Sequence, residues 1–508
     1  MKITFIFTDL NVFNRYSRDY SGIFAHGIGY LSAILKKKGH STSLIHIIEE
    51  IDKENFLNRI EKEQPDLVAF TSLSHQFAYV KKLSSWLKET TDIITICGGV
   101  HATIDPEEVI KADSIDMLCR GEGEYALAEL CDKLSSGKDI SQIKNIWVKK
   151  GGAVIKNDIR PLETNLDDLP FPDRSLFSYK NLYDYKIRML TVLAARGCPF
   201  SCSYCCNHQY QKLYPHNYLR SRSVDNVLSE IDEALGWYKD VEFINFVDDT
   251  LCMDKKWIEE FCEKFPKRFN LPFHGNTRVN FLDEQMLSLL NKGGCERLDV
   301  GIESGSAYMR QQILKRNITE EQIARAFDLA HKFGIKLSAY NMIGCPFETP
   351  RMILETIKLN ARVKPYASHN AIFQPYPNTE AYQLCLKNNF ISEKKVSAFF
   401  KESVLSQPQL SKRQVLFFSR YFPILMKLYI FSGILPKKIS SRLVSFIDKN
   451  AIGLSKNYIA LKSYFLFLII LSPIKTIKLL IMKINPRMAR KIKYIIDGRY
   501  YMKGKNNS

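Results

Sequence analysis

Cys198-Pro199-Phe200-Ser201-Cys202-Ser203-Tyr204-Cys205 is the stretch that decides the fold of this 508-residue chain. It spaces three cysteines by three and then two residues, directly after the apolar run Thr191 to Ala195, which predicts a strand. Three thiolates on one short loop can each bind one iron of a [4Fe-4S] cubane, so the fourth iron stays open to a chelating small molecule. Because adjacent side chains diverge, we do not expect Cys206 to be a fourth ligand.

A zinc knuckle is the alternative for the same loop. Structural zinc sites use four protein ligands, and His208 is the only nearby residue that could complete the three cysteines. The cysteine spacing directly after a strand favours the cluster over zinc.

The cellular compartment bears on the same choice. The chain has 12 cysteines, but Met1 to Leu10 lacks the basic region, long apolar stretch and cleavage site of a secretion signal. We therefore expect a cytoplasmic protein, in which grouped cysteines indicate metal binding or catalysis more often than disulfides.

The sequence predicts an α/β fold with a partial (β/α)6 barrel around this loop. Six apolar runs, separated by helical patterns, predict its parallel strands, and chemistry in such barrels sits at the carboxyl ends of the strands. The predicted strands are Thr191 to Ala195, Val241 to Val247, Leu271 to Asn276, Arg297 to Ile302, Ile335 to Ile343 and Asn370 to Gln374.

The N-terminal part predicts a separate doubly wound, Rossmann-like sheet of five strands. Its predicted strands are Ile3 to Phe7, Ser41 to Ile47, Leu67 to Phe70, Ile93 to Cys97 and Ile115 to Cys119, with helices over Gly29 to Lys38, Lys53 to Glu63 and Phe77 to Glu89. We predict four regions: this domain over 1–145, a linker over 146–185, the barrel over 186–380, and a basic, mainly helical C-terminal region over 381–508.

Taken together, the cysteine spacing, its position after the first barrel strand and the order of the downstream motifs resemble the radical S-adenosylmethionine (SAM) superfamily. The resemblance implies that the amino and carboxylate groups of SAM chelate the open iron. It further implies reductive cleavage of SAM to a 5′-deoxyadenosyl radical, with an electron donor such as flavodoxin or ferredoxin.

The resemblance also implies residues that contact SAM. Tyr204 precedes the third cysteine, and the aromatic residue at that position in relatives packs near the adenine. Asp248 and Asp249 end the second strand, Arg278 ends the third, Glu303 ends the fourth, where relatives meet the ribose hydroxyls, and Ile343 ends the fifth, where relatives contact adenine through backbone groups.

Each of these carboxylates and the arginine has a structural alternative. Asp249 could be the N-cap of the following helix. Glu303 could cap the next helix together with Ser304 and Ser306. Arg278 could pair with a carboxylate of SAM or substrate, or with Asp283.

The N-terminal domain resembles the cobalamin-binding domain that precedes many radical SAM enzymes. The resemblance rests on Ile96 to Thr103, whose Gly98 and Gly99 let a ligand approach the backbone, on Gly27 to His40, on Gly121-Glu122-Gly123-Glu124 and on the sheet order. Domains of this kind that ligate cobalt through histidine carry Asp-x-His-x-x-Gly, whereas Phe24 to Gly29 keeps the histidine, His26, without the aspartate. We therefore expect cobalamin to bind without His26 as a ligand, and His101 to contact the tail of the cofactor.

The leading functional hypothesis is a cobalamin-dependent radical SAM methyltransferase acting on an unactivated centre of a small-molecule or lipid-like substrate. Two alternatives remain open. One is a radical SAM cyclase or mutase without methyl transfer, and the other is a non-catalytic zinc-binding or RNA-binding protein.

The net charge of +18 is confined to the C-terminal end of the chain. Residues 411–508 carry 20 Lys and Arg against Asp448 and Asp497, so residues 1–410 are formally neutral, which argues against nucleic acid as a partner of the body. Lysines interleaved with apolar residues over Ile474 to Ile484, with Arg487 and Arg490, favour a helix on an anionic membrane surface. A basic lid over the barrel and a tRNA-binding tail are the alternatives.

Overall fold

The structure is a computed structural model that describes residues 1–10, 21–216, 218–391 and 402–456. The chain divides into two compact units, Met1–Gly275 with Pro375–Gln383, and Asn276–Gln374 with Leu384–Ser508. The four regions predicted above, 1–145, 146–185, 186–380 and 381–508, stay predictions.

The first unit contains a seven-stranded sheet with the strand order β2-β1-β3-β4-β5-β6-β7. Strands β1 to β5 are parallel, and β6 and β7 continue the sheet in antiparallel pairing. The strands are β1 (Lys2–Thr8), β2 (Ser41–Ile47), β3 (Leu67–Thr71), β4 (Ile94–Gly98), β5 (Met117–Cys119), β6 (Ile146–Lys150) and β7 (Ala153–Lys156). The helices are α1 (His26–Lys37), α2 (Lys53–Glu63), α3 (Phe77–Lys88), α4 (Val100–Ile104), α5 (Pro106–Ile110) and α6 (Glu124–Ser135).

The prediction of five strands in this sheet was therefore wrong by one hairpin. Ile146, Trp147 and Val148 are buried and pair with β5. Gly151 and Gly152 both adopt positive φ, 58° and 80°, so they form the tight turn that returns β7 against β6.

The sheet is covered on both faces, as a doubly wound fold requires. Ile3 and Phe5 of β1 belong to the apolar cluster on one face, whereas Ile6 lies in the cluster on the other. Successive side chains of a strand alternate between faces, so one apolar strand supplies both clusters.

A second sheet has six strands in the order β15-β14-β13-β12-β11-β8, and all of its described registers are parallel. This parallel half-barrel sheet in a mixed α/β protein confirms the predicted partial barrel. The strands of this region, with the short pair β9 and β10, are β8 (Met189–Val192), β9 (Ala195–Arg196), β10 (Arg220–Ser221), β11 (Phe243–Phe246), β12 (Phe273–Thr277), β13 (Cys295–Glu303), β14 (Lys336–Ile343) and β15 (Ser368–Ile372). The helices are α7 (Tyr183–Lys186), α8 (Asn207–Leu213), α9 (Val224–Trp237), α10 (Lys255–Arg268), α11 (Glu284–Lys292), α12 (Glu320–Phe333), α13 (Pro350–Val363) and α14 (Glu380–Lys387).

The described C-terminal region consists of α15 (Lys412–Ser432) and α16 (Lys437–Lys456). Phe418 and Phe422 of α15 are fully buried in one apolar cluster with Ile353 and Ile357 of α13. Within the described residues, α15 is the one helix long and apolar enough to cross a membrane, but 72% of that window is buried inside the protein. For α15 the contacts match the lid alternative, whereas the predicted surface helix over Ile474 to Ile484 lies outside the described residues.

Candidate functional site

The cysteine loop begins at a turn that only glycine fits. Gly197 follows β9 with φ +94°, and a Cβ there would lie 2.5 Å from the carbonyl oxygen of Tyr218. Strand β9 pairs with β10, so the start of the loop is anchored on a short antiparallel ribbon.

The loop that carries the three cysteines is held by hydrogen bonds. Gln211 Nε2 donates to the carbonyl oxygen of Cys198 at 2.6 Å, and the Cys205 amide donates to the carbonyl oxygen of Cys202 at 3.1 Å. Cys202 is buried, and Cys198 and Cys205 are half-buried. Three soft thiol donors on one loop fit a cluster in which each thiolate binds a different iron.

No three His, Cys, Asp or Glu side chains are grouped closely enough to hold a single metal ion, within the part of the chain that the structure describes. A zinc knuckle needs four ligands around one ion, whereas a cubane takes each thiolate to its own iron. His208, which zinc would require, places Nε2 2.9 Å from the side-chain nitrogen of Gln209.

Asn207 links the third cysteine to the acidic end of β11. Its amide nitrogen lies 3.6 Å from Cys205 Sγ and 3.1 Å from Asp249 Oδ2, and it donates to both. A hydrogen bond with Cys206 lowers the pKa of the Cys205 thiol to about 7. Cys206 therefore acts on the Cys205 thiol through this hydrogen bond. That Cys206 is not itself a cluster ligand stays a prediction.

The two aspartates after β11 do not cap a helix, so that alternative for Asp249 was wrong. The N-cap of α10 is Asp254, which accepts from two backbone amides of that helix. Asp248 is buried and accepts from the Ala194 amide at 3.2 Å, and burial raises its pKa to about 7. Tyr204 is half-buried in the same loop.

In the second unit, Glu303 ends β13 in the left-handed region, with φ 63°. This conformation is costly for a residue other than glycine and needs support from the surrounding structure. Arg316 Nη1 lies 3.8 Å from Glu303 Oε1, and Arg316 Nη2 donates to the Gly301 carbonyl oxygen at 2.8 Å. The predicted contact of Glu303 with ribose stays a prediction.

Arg278 is buried, and its Nε donates to Asn280 Oδ1 at 3.2 Å. Its proposed alternative partner, Asp283, is the N-cap of α11 and accepts from the Met286 amide at 2.7 Å. The structure thus gives Asp283 a capping role, and a ligand role for Arg278 stays a prediction.

A buried carboxyl shapes the turn after β14. Glu348 Oε2 accepts from the Gly344 amide at 2.6 Å and from the Cys345 amide at 3.2 Å. Glu348 is fully buried, and burial raises its pKa to about 8, so the carboxyl is largely neutral at pH 7. The Ile343 side chain packs into the apolar cluster with α13 and α15, which leaves only its backbone for contact with a nucleoside.

The first unit contains an open cavity of about 410 Å³ at the carboxyl ends of β1, β3, β4 and β5. Such edges are where open α/β sheets bind ligands. Four glycines of its wall, Gly98, Gly99, Gly121 and Gly123, keep the backbone accessible, as the sequence predicted for the first two. Among the other lining residues are Phe5, Ile28, Leu31, Arg196 and Tyr210.

His101 is not among the residues that line this cavity. Its Nδ1 lies 3.1 Å from Ser74 Oγ, its Nε2 lies 3.4 Å from a carboxylate oxygen of Glu108, and its ring packs against Phe77. Its predicted contact with a cofactor tail stays a prediction.

His26 is the first residue of α1, and it does not line the cavity either. Its Nε2 lies 3.2 Å from the carbonyl oxygen of Thr191, and its ring packs edge-on against Phe24. Burial, followed by the nearby Arg174 guanidinium, lowers the pKa of His26 to about 4, so the neutral imidazole donates to Thr191.

Two family models match this chain. The model of the B12 binding domain matches residues 23–131, which contain the cavity-lining turns, and that of the Radical SAM superfamily matches residues 192–359, which contain the cysteine loop. The chain is a radical SAM enzyme with an N-terminal B12-binding domain. Its cofactors are accordingly a [4Fe-4S] cluster, SAM and cobalamin.

The chain is similar to individual proteins at low sequence identity. An uncharacterized methyltransferase of Pyrococcus horikoshii is 29% identical over 372 residues, covering 72% of this chain and 79% of that protein. An anaerobic magnesium-protoporphyrin IX monomethyl ester cyclase of Rubrivivax gelatinosus is 28% identical over 370 residues, covering 70% of this chain and 65% of that protein. The solved structure of the radical SAM methyltransferase TsrM of Kitasatospora setae matches with a TM-score of 0.62 and 15% identity, covering 81% of this chain and 80% of that one. At this identity the likeness establishes a shared fold only.

We expect His26→Ala to leave corrinoid binding unchanged, because Nε2 is engaged by Thr191 and the side chain does not line the cavity. Binding is measured by titration with hydroxocobalamin, and the ligand field by EPR of the reduced cobalt. Nitrogen hyperfine splitting that disappears in His26→Ala would show that this residue is the ligand after all.

Gly27 lines the cavity, and a Cβ at this position would meet nothing within 4 Å. We expect Gly27→Leu to fold normally, since a helical glycine is replaced by a better helix former, but to weaken hydroxocobalamin binding about tenfold or more. Gly236 in α9 is the matched control, because it is also helical and open but lies away from this cavity. Equal binding by Gly27→Leu and Gly236→Leu would show that the corrinoid does not use this wall.

Proposed function

We propose that this enzyme methylates an unactivated centre of a small-molecule substrate in a cobalamin-dependent reaction. One observation carries the proposal: a residue of the cavity wall stands directly before the cysteine loop. Arg196 lines the cavity and precedes Cys198 by two residues, which supports a reaction that uses a corrinoid in this cavity together with a cluster on the loop.

The cluster supplies the electron that cleaves SAM, and the corrinoid carries the methyl group. Overall, two molecules of SAM and two electrons convert X–H into X–CH₃, with 5′-deoxyadenosine, methionine and S-adenosylhomocysteine as products. The hydrogen taken from the substrate ends on 5′-deoxyadenosine, and a reduced flavodoxin or ferredoxin is the proposed electron donor.

Residues of this chain hold the cysteine loop and the turn after β14 in place. Gln211 and the Cys202–Cys205 backbone bond hold the thiols in place, and Asn207 orients Cys205 against Asp249. Glu348 orders the turn that presents the Gly344 backbone. These contacts place donors before any ligand binds, which is how a site avoids reorganisation during reaction.

The experiment that tests methyl transfer measures both SAM-derived products from reduced, corrinoid-loaded protein. We expect S-adenosylhomocysteine in amounts that match the bound corrinoid, in addition to 5′-deoxyadenosine. The rival function, a cyclisation of the kind named for the Rubrivivax relative, gives 5′-deoxyadenosine without S-adenosylhomocysteine. That product pattern would contradict methyl transfer and favour cyclisation.

We also propose that the protein is cytoplasmic and attaches to anionic membranes through its C-terminal region. The support in the described residues comes from α16, where Ile439 is 52% and Phe446 48% exposed. The only carboxylate of this helix, Asp448, is taken up by Lys358 Nζ at 2.6 Å and by the Tyr429 hydroxyl at 2.5 Å. The exposed basic residues include Lys438, Arg442 and Lys449.

We expect the full chain to co-sediment with vesicles containing anionic lipid and to be released in part by high salt, since each basic side chain contributes about 1 kcal/mol. Replacing Lys438, Arg442 and Lys449 with Glu should reduce the bound fraction. The matched control reverses three exposed lysines of other helices, Lys255, Lys267 and Lys332. Equal binding to neutral and anionic vesicles would exclude this electrostatic attachment.

A further inference from the structure

Arg196 is a charged residue in the wall of the B12-domain cavity, and its side chain is only 15% exposed. Arg196 Nη2 lies 2.8 Å from Glu124 Oε1, and Nη1 lies 3.3 Å from Glu122 Oε2. The guanidinium also sits over the ring of Tyr30, 4.9 Å from its centroid. All four side chains belong to the cavity lining.

The same arginine is tied to the cysteine loop through the backbone. It lies in β9 opposite Arg220 of β10, and Arg220 Nη1 also donates to Glu122 Oε2, at 3.1 Å. Cys198 follows Arg196 by two residues, and a chain extends at most about 3.5 Å per residue, so their Cα atoms are within about 7 Å. Any ligand that contacts Arg196 is therefore held close to the start of the loop.

The charges in this group balance. The Arg196 guanidinium lies against the carboxylates of Glu124 and Glu122, and Arg220 supplies the second positive charge of the group through its own ion pair with Glu122. Burial opposes the charge of Glu122, but hydrogen bonds from Arg220 hold the pKa of that carboxyl below its ordinary value. Donor N–H groups and acceptor carboxylates thus stand side by side in a neutral cluster, which suits a ligand group that is itself neutral and both donates and accepts.

We propose that Arg196, with Glu122 and Glu124, binds the amide side chains at the edge of the corrin ring and fixes the corrinoid relative to the cysteine loop. Amide oxygens accept from the guanidinium, and amide N–H groups donate to the carboxylates. The role of this contact in catalysis rests on the proposed methyl transfer, but the binding contact itself does not.

The test compares hydroxocobalamin binding, measured by the change in its visible spectrum, in anaerobically reconstituted wild type, Arg196→Gln and Arg196→Lys. We expect both variants to retain the iron and the cluster EPR signal of the wild type. Arg196→Gln should bind hydroxocobalamin about tenfold or more weakly, since it loses a charged donor fork. Arg196→Lys should fall between the two, since it keeps the charge without the fork.

Arg268→Gln is the matched control, because it removes an exposed arginine that pairs with Asp232, and it should bind hydroxocobalamin like the wild type. Wild-type affinity in Arg196→Gln would overturn the proposal, and so would loss of the cluster in both variants, which would assign Arg196 to the fold of the loop. If wild type binds hydroxocobalamin but releases no S-adenosylhomocysteine, methyl transfer fails while the affinity comparison still decides the role of Arg196.

Discussion

Cys198→Ala, Cys202→Ala and Cys205→Ala will each lose the [4Fe-4S] cluster and, with it, all detectable formation of 5′-deoxyadenosine from SAM. The reason is the ligand count, since three thiolates hold the cubane and the fourth iron is reserved for SAM. Wild-type protein reconstituted without oxygen should contain about four irons per chain. Iron analysis, cluster EPR and quantification of 5′-deoxyadenosine give the three readouts.

Cys206→Ala is the matched control for these variants, because it removes a thiol that is adjacent in sequence and hydrogen-bonded to Cys205. It should retain the iron content and SAM cleavage, with the cluster EPR signal free to change. Complete loss of the cluster in Cys206→Ala alone would contradict the ligand assignment.

The strands of both sheets could be predicted closely because they are short apolar runs between helical patterns. The second strand, Ser41–Ile47, and the helix Lys53–Glu63 have the predicted bounds, and other predicted strands are shifted by up to two or three residues at an end. Apolar runs of this kind reflect burial, which is a local property of the sequence.

The β6–β7 hairpin was missed because its signal in the sequence is a turn, not an apolar run between helical patterns. Trp147 and Val148 are followed by lysines and a glycine pair, and the prediction assigns this stretch to the linker over 146–185, although two glycines with positive φ are what a tight hairpin turn needs. The division of the chain between Gly275 and Asn276 has no marker in the sequence, since it falls within β12.

The site was predictable where a motif is contiguous and unpredictable where partners are distant in sequence. The cysteine loop, Asp249 and Glu303 stand at the ends of the expected strands. The contact of Arg196 with Glu122 was missed because the two residues are far apart in the sequence, and Arg196 precedes the cysteine motif without belonging to it. That Asp254 and not Asp249 caps α10 was visible only in the structure, because both residues precede the helix.

Glu348 was also missed, although it stands in the motif that ends the fifth barrel strand. A carboxyl after a strand gives no sign that it is fully buried or that it accepts from the Gly344 and Cys345 amides. Its two hydrogen bonds make Glu348 one of the residues that hold the shape of this turn.

We expect Glu348→Ala to weaken SAM binding at least tenfold and to destabilise the fold, whereas Glu348→Gln should keep both near the wild type. The alanine leaves two buried amides without an acceptor, at a cost of about 1–3 kcal/mol for each. Glutamine keeps an acceptor oxygen and matches the neutral carboxyl, whose pKa is raised to about 8. SAM affinity by equilibrium dialysis and urea unfolding measure the two effects.

The raised pKa of Glu348 also gives a pH dependence of stability that should disappear in Glu348→Gln. Because the pKa rises from 4.5 in the ordinary state to about 8 in the fold, the folded protein keeps a proton that the unfolded chain releases. The free energy of unfolding should therefore fall with pH between these values, by up to about 1.4 kcal/mol per unit relative to Glu348→Gln, and become level above pH 8. Glu355→Gln, at an exposed position of the adjacent helix α13, is the control and should follow the wild type at every pH. Parallel pH profiles for wild type and Glu348→Gln would mean that Glu348 is already ionised in the fold, and the turn would then be held by a charged carboxylate instead.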